Sequence, residues 1–331
     1  MAVIKDVARE AGLSVAAVSK YLKDPDSVLP STRERVEAAI VKLHYQPSPT
    51  ARALRTGKNR LAAVVVQDLT NPFYAELFEA IRRALAAQGY GALVFSNEPG
   101  SQSAYAQALR MVDGIILCFL YDEKAAEAPA LPTVALGWRP FGAGRDAIVL
   151  PMRPGMQAVT THLLARGCTR IGYVGTRGDD VNARDKFRGY RDALRAVGRE
   201  PNPRDLCMDS VTLADGYRAA RALLARPDRP DALVCENDIL AIGCLKYCRR
   251  HGLAVPSDVA VTGHDDIAMA QMLEPPLTTV RLPIADMGEA AATLLLSRLE
   301  GRREDVRQDF AAELLVRGTT NCYYQQNLDD L

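Results

Sequence analysis

The chain has 331 residues, 48% of them hydrophobic, and a formal net charge of only +1; that is apolar material for two or three domains at roughly 100–200 residues each, and it excludes a disordered chain. The apolar run Leu61 to Val66 is far shorter than the ~20 residues that span a bilayer, and Lys5, Asp6, Arg9 and Glu10 break the segment where an export signal must be apolar, so the expectation is a cytoplasmic protein with no membrane partner. Seven cysteines, odd in number and without a C-x-x-C spacing, read as reduced thiols, Cys244 and Cys248 sharing a helix face that packs in the core.

The charge is unevenly placed. Residues 1–60 hold 11 Lys+Arg against 6 Asp+Glu, a surplus of five, whereas the other 271 hold 30 against 34. A small basic module for a polyanion, joined to a near-neutral body, is the plan this implies, although an ordinary solvated surface gives the same count.

In chain order, Ile4, Val7, Ala8 and Ala11 fall at i, i+3, i+4 and i+7 and stripe a short helix. Gly12 stops it by supplying a positive φ, and Ser14 can cap a second helix striped by Val15, Val18, Tyr21 and Leu22. Ser31 to Glu34 reads as a capping box opening a third helix, whose Val36, Ala39, Ile40 and Leu43 close a three-helix core. Helices this short persist only by packing on one another. The pattern is that of a helix-turn-helix with its second helix free to enter a DNA major groove. Val15, Ala16, Ala17, Ser19 and Lys20 are its candidates for DNA contact, with Ser31 beside them. A generic small helical bundle is the other reading.

Ser48, Pro49 and Gly57 mark a cap, a first helical position and a stop, so one short helix is written between head and body, with almost no stripe for docking. A plain linker fits too. From Leu61 the pattern becomes short apolar runs alternating with helices: LAAVVVQ, then a helix faced by Phe78, Ile81 and Leu85, then GALVFSN. DGIILCFL, PTVALGW, RIGYVGT, ALVCEN and AVTGHD continue it, with helices such as RGYRDALRAVG and ILAIGCLKYCRRHGL between, which argues for parallel sheets. Ligands in such sheets bind beyond the strands' carboxyl ends. That selects Asp68, Asn71, Phe73, Tyr74, Trp138, Asn182, Arg184, Lys186, Asn237, Asp238, His264, Asp265 and Asp266.

IKDVAREAGLSVAAVSKYL, TRERVEAAI, LHYQPSPTARALRTGKN and NPFYAEL together resemble the LacI/GalR family of bacterial transcription regulators, over essentially the whole chain. The resemblance implies an N-terminal all-α helix-turn-helix head plus an α/β body of two parallel-sheet subdomains, periplasmic-binding-protein type I-like. The implied divisions are a head at 1–46, a hinge helix and linker at 47–60, a first subdomain at 61–150 with a return over about 282–318, a second at 151–281 and a polar tail at 319–331.

By the same resemblance Val15, Ala16 and Lys20 read bases, Leu54 wedges into the minor groove, and Arg52, Arg55 and Lys58 hold phosphates. Phe73 and Tyr74 line the effector cleft, Trp138 stacks on the ligand, Lys186 stands where an anchoring Arg is frequent and Asp265 accepts from the ligand; Asn71, Arg184 and Asn237 complete the effector set. The implied protein is a repressor that binds a pseudo-palindromic operator as a homodimer under control of a small-molecule effector, bacterial, cytoplasmic and nucleoid-associated when bound.

Several positions depart from the family. Lys20 replaces the usual Arg, which argues against bidentate guanine reading. Gly137 stands where many members carry Asp, and VLPMRPG (149–155) replaces V-x-x-D-N, so the implied effector is not an ordinary sugar. SNEPGSQSAYAQALRMVDG and LYDEKAAEAPALP are short, each with room for one helix, which bears on the dimer interface.

An enzyme is the rival class. Gly172, Gly175 and Gly178 do not form a dinucleotide fingerprint, and His44, His162, His251 and His264 show neither metal spacing nor a triad, so no catalytic residue, metal or cofactor is assigned. A solute-binding protein would need export and leaves Val7 to Lys58 unexplained. A DNA-binding regulator with a degenerate cleft and no effector stays open. The tail lacks leucine heptads, which favours a dimer over a tetramer.

Overall fold

A computed structural model describes residues 2–46, 57–96, 109–119, 131–137, 145–176, 181–209 and 212–321. The chain divides at Arg60 into two compact units. The hinge residues Arg52, Leu54 and Arg55, the ring of Trp138, and most of the two shortened segments lie outside the described residues.

The first unit is the expected three-helix head: α1 (Ile4–Ala11), α2 (Val15–Lys23) and α3 (Pro30–Leu43). Gly12 ends α1 at φ 61, and the Ser14 hydroxyl accepts from the Ala17 amide at 3.1 Å, capping α2. Val7, Ala8, Ala11, Val18, Val36 and Ala39 form its core. Arg35 of α3 donates to the carbonyls of Ala11 (3.0 Å) and Gly12 (2.9 Å), giving partners to the open end of α1.

The capping box at Ser31 does not form. The third helix starts two residues earlier, with Leu29 as N-cap, Pro30 at the first helical position and no side-chain cap; Ser31 is exposed within the first turn. The cause is Pro30, whose fixed φ presets the helix and whose missing N–H removes one of the donors a cap would satisfy.

The second unit carries twelve strands among the described residues: β1 (Leu61–Val66), β2 (Gly91–Ser96), β3 (Gly114–Cys118), β4 (Thr133–Gly137), β5 (Asp146–Val149), β6 (Ile171–Val174), β7 (Leu206–Cys207), β8 (Ala232–Cys235), β9 (Ala260–Thr262), β10 (Thr279–Arg281), β11 (Arg307–Asp309) and β12 (Glu313–Leu315). Its helices are α4 (Pro72–Ala87), α5 (Met152–Ala165), α6 (Val181–Ala196), α7 (Leu213–Leu224), α8 (Asp238–Arg250) and α9 (Ile284–Leu299).

One lobe is a six-stranded sheet in the order β11-β5-β4-β3-β1-β2, all neighbours parallel; the other is a four-stranded parallel sheet, β7-β6-β8-β9. Helices cover the strands, which is why β1, β3 and β8 are runs of apolar residues rather than alternations. Cys244 and Cys248 are fully buried in α8, packed in the core.

The chain passes between the lobes three times. After β5 it enters the second lobe. After β10 it goes back, α9 packing on α4 and on β3 to β5 while β11 extends the first sheet beside β5. Then β12 pairs antiparallel with β10, and Thr319 binds the Val261 amide (3.3 Å) and the Thr278 amide (2.8 Å). The return to the first lobe is therefore shorter than the stretch 282–318: the β10–β12 pairing holds residues 313–320 away from the first sheet.

Candidate functional site

In the head, α2 presents Val15, 40% exposed, together with exposed Ala16 and Lys20; Ala17 and Ser19 are half-buried. Val18 turns inward to the core, so the stripe that folds α2 also fixes which residues it offers outward. Over residues 1–46 seven Lys and Arg nearly balance six Asp and Glu, so the basic surplus of residues 1–60 comes mainly from Arg52, Arg55, Lys58 and Arg60.

In the body, a cavity of about 310 Å³ opens between the carboxyl ends of the two sheets. Gln67 and Asp68 follow β1, Phe119 follows β3, Thr176 follows β6, Glu236 and Asn237 follow β8, and Asp265 follows β9. The opening turns of three helices add Asn71, Phe73 and Tyr74 (α4), Met152 (α5), and Asn182 and Lys186 (α6); Leu282 comes from the passage between lobes. Six of the eight effector residues expected from sequence thus line one cavity. Arg184 does not: it is exposed on α6, two positions before Lys186 and so on another face.

The aromatic wall is built on α4. The Asn71 carboxamide accepts from the Phe73 amide (3.1 Å) and caps the helix, while Pro72 takes its first position. Phe73 meets Tyr74 edge-on with centroids 5.0 Å apart and Phe119 at 5.6 Å. On the same helix, Glu76 accepts from the Ala268 amide of the second lobe at 3.0 Å, and burial pushes its carboxyl up against the pull of that amide.

The polar wall is on the second lobe. Lys186 is buried, donates to the Glu236 carbonyl at 2.8 Å and lies 3.8 Å from Asp265 Oδ1. Asp265 adopts φ +113, a conformation L-residues rarely take, and its amide is held by the Val280 carbonyl at 2.9 Å. His264 Nδ1 lies 2.9 Å from Asp265 Oδ1; an ionised carboxylate only accepts, so Nδ1 carries the proton. Burial, then the charge of Lys186, lowers the His264 pKa to about 4, and its Nε2 has no hydrogen-bond partner among the described residues.

Other strand-end candidates are structural. Asp238 accepts from Thr279 (2.6 Å) and from the Ile267 amide (2.9 Å); burial and then Asp265 raise its pKa. Asp266 pairs with Arg281 (2.8 Å) and Arg317 (2.7 Å). Sequence reading missed Gln67, Phe119, Met152, Thr176, Glu236 and Leu282. The strand-end rule already pointed at Glu236, the first residue after ALVC. Among the described residues no group of His, Cys, Asp and Glu could hold a metal ion, and no helix is long and apolar enough to cross a membrane.

A helix-turn-helix head followed by a two-lobed, cleft-bearing α/β body defines a ligand-responsive DNA-binding protein. Residues 3–48 match the model for bacterial regulatory proteins of the lacI family, and residues 160–320 match a periplasmic binding protein-like domain. The ribose operon repressor of Escherichia coli (strain K12) is 34% identical over 331 residues, covering 96% of this chain and 100% of that one. Among solved structures, the lac repressor dimer bound to operator and an anti-inducer superposes with a TM-score of 0.83 at 25% identity, covering 96% of this chain and 99% of that one. A complex of the transcriptional regulator CelR with cellobiose gives 0.71 at 29% identity, covering 96% and 100%.

The chain belongs to the LacI family of bacterial transcriptional regulators. It is a DNA-binding regulator with an N-terminal helix-turn-helix and an effector-binding body.

Proposed function

We propose that two copies of this chain bind a pseudo-palindromic operator and repress transcription until a small polar ligand enters the cavity of each body. The observation that carries this reading is the pairing, in one chain, of an α2 that exposes Val15, Ala16 and Lys20 with a polar, aromatic-walled cavity between two sheets. Val15 and Ala16 contact thymine methyls, Lys20 donates to an acceptor on a base edge, and Ala17, Ser19 and Ser31 flank them. Arg52, Leu54 and Arg55 form the hinge contact, Leu54 as a minor-groove wedge.

The second copy has an apolar surface to meet on the second lobe: Ile242, Leu245, Leu253, Val255 and Leu273 line a groove beside Met272, which is 66% exposed. The effector reading rests on size and chemistry. A cavity of about 310 Å³ is at the small end of ligand sites, suited to one sugar ring or similar polar ring, and Asp68, Glu236 and Asp265 supply carboxylates in spite of the departures at Gly137 and in VLPMRPG (149–155). Ligand closure of the cleft acts on the bond between Glu76 and Ala268, the contact named above between lobes.

The test is fluorescence anisotropy on DNA selected by the full-length protein from a random library. The selected DNA should share a two-fold symmetric site with half-sites about one helical turn apart. Leu54→Ala should weaken its binding by a few kcal/mol, the scale of an unstacking wedge, without altering ligand-induced melting shifts. Binding with no sequence preference would reject the reading.

A further inference from the structure

We infer that Arg35 positions the DNA-reading helix: its guanidinium reaches from α3 to clamp the turn between α1 and α2, and so sets how Val15 and Ala16 are presented, without touching a phosphate itself. This rests on the reading of α2 as the helix that enters the major groove and goes beyond it by naming the residue that holds that helix at its working angle.

Arg35 is an exposed cation in a head that binds a polyanion, so a phosphate contact is its obvious use. Its donors are instead turned inward. Nε donates to the Ala11 carbonyl at 3.0 Å and Nη2 to the Gly12 carbonyl at 2.9 Å. The carbonyls of Ala8 and Arg9, one turn earlier, are already taken by the amides of Leu13 (2.9 Å) and Gly12 (3.1 Å), which leaves the last two of the turn to the guanidinium. Gly12 makes the approach possible: it sits at φ +61, and a Cβ there would lie 2.8 Å from Arg35 Nη2, so a side chain at position 12 would displace the clamp. A lysine ammonium is a point donor and does not span both carbonyls as the planar fork does.

The clamp acts at the end of α2 that reads bases. Towards its C-terminus α2 is tied to α3 by the Tyr21 hydroxyl, which donates to Glu37 at 3.0 Å, and in its middle Val18 is buried in the core. At the other end Arg35 holds the turn that leads into the N-cap, Ser14. Without Arg35 the core and the Tyr21 tie persist, while the N-terminal end of α2, with Val15 and Ala16, is free to pivot. Ser14 and Tyr21 are separated by about 10 Å of helix, so a tilt of about 10° around the Tyr21 end moves the N-terminal end by about 2 Å, more than a base contact tolerates.

The experiment uses the full-length protein with Arg35→Lys and Arg35→Gln, on the duplex selected by the parent protein and on a scrambled duplex of the same composition, from about 50 to 200 mM salt. Arg35→Lys should lower affinity for the selected duplex about tenfold, the worth of a hydrogen bond to a charged group, and leave the scrambled duplex as it was. Arg35→Gln should do the same, with the slope of log affinity against log salt unchanged on both duplexes. Amide exchange at Leu13 and Ala17 should quicken in both variants while Ala39, in the core face of α3, stays protected. A slope shallower by about one in Arg35→Gln would make Arg35 a phosphate contact and overturn the inference. Equal losses on the two duplexes, the mark of a head that has lost its fold, would overturn it too, as would a Lys variant that binds the selected duplex as tightly as the parent or exchange at Leu13 and Ala17 that does not change. A parent that does not distinguish the two duplexes would reject the operator reading itself, and the inference with it.

Discussion

The head and the body solve stability in different ways. The head's core is six small residues, Val7, Ala8, Ala11, Val18, Val36 and Ala39, and its ion pairs are at the surface, such as Arg33 with Glu37 at 2.9 Å and both side chains nearly half exposed. The body has large apolar cores and adds buried charge. Asp146, fully buried, receives both Arg298 (2.8 Å) and Arg302 (2.6 Å), and Asp205 receives Arg170 and Arg226. A surface pair is worth about 0–1 kcal/mol, whereas removing one partner of a buried network strands the others. The head should therefore answer to methyl groups and caps, and the body to its charge networks.

The largest expected effect is on the body. Asp146→Asn removes the charge and one of the two acceptor oxygens that serve two guanidinium groups and the Val306 amide (2.8 Å), and should destabilise the body's unfolding transition by about 3–5 kcal/mol in urea, leaving the head's response to substitution as it was. Burial pushes the Asp146 carboxyl up, but the hydrogen bonds from Arg302, Arg298 and that amide outweigh it and leave the pKa below its ordinary value. Its contribution is thus present above the unfolded pKa, near 4, and lost as pH falls below it. An Asn variant as stable as the parent would show that this network does not distinguish the body from the head.

Next comes His264, which acts in a separate pH window. Unfolded, its pKa is the ordinary 6.5; folded, it is lowered to about 4. The unfolded chain therefore binds a proton first, and stability, full above 6.5, should fall by roughly 3 kcal/mol as pH drops to 4. His264→Phe should flatten that part of a stability-versus-pH curve, and a slope that survives would assign the titration elsewhere.

Smaller effects are expected in the head. Val36→Ala should cost it about 2 kcal/mol through lost burial and a residual cavity, read as weaker operator binding at elevated temperature with the body's melting unchanged. Ser14→Ala, removing the cap of α2, should cost about 1 kcal/mol; amide exchange at Ala17 would register it, and unaltered protection there would mean the cap contributes nothing.

How far the molecule could be read from its sequence follows from the range of the forces involved. Gly12, Ser14 and the stripes of α1 and α2 are local, so the helix-turn-helix was legible residue by residue. The start of α3 was misplaced because two local signals compete there, and the proline at position 30 overrides the serine at 31. The long buried strands were legible as apolar runs. β5, β10, β11 and β12 were not, since each includes a charged residue, nor was β7, which has only two residues, so none shows the uncharged run of the equally short β6, β8 and β9. At the cavity, Phe73, Tyr74, Lys186 and Asp265 were visible from the strand-end rule and family resemblance. Glu236 was within reach of the same rule, being the first residue after β8, but the Thr176 contact that seats it crosses from β6 and was not legible.

The three passages between the lobes also set an order of assembly on the ribosome. The first lobe begins the body, yet the helix that covers β3 to β5 and the strand that closes its edge, α9 and β11, are synthesised after the whole of β6 to β9. The later lobe, whose sheet is contiguous in the chain, can bury its strands first, while the earlier one waits with the face over β3 to β5 and one strand edge uncovered. During translation it is thus the N-terminal half of the body that is the late folder and the natural client for a chaperone.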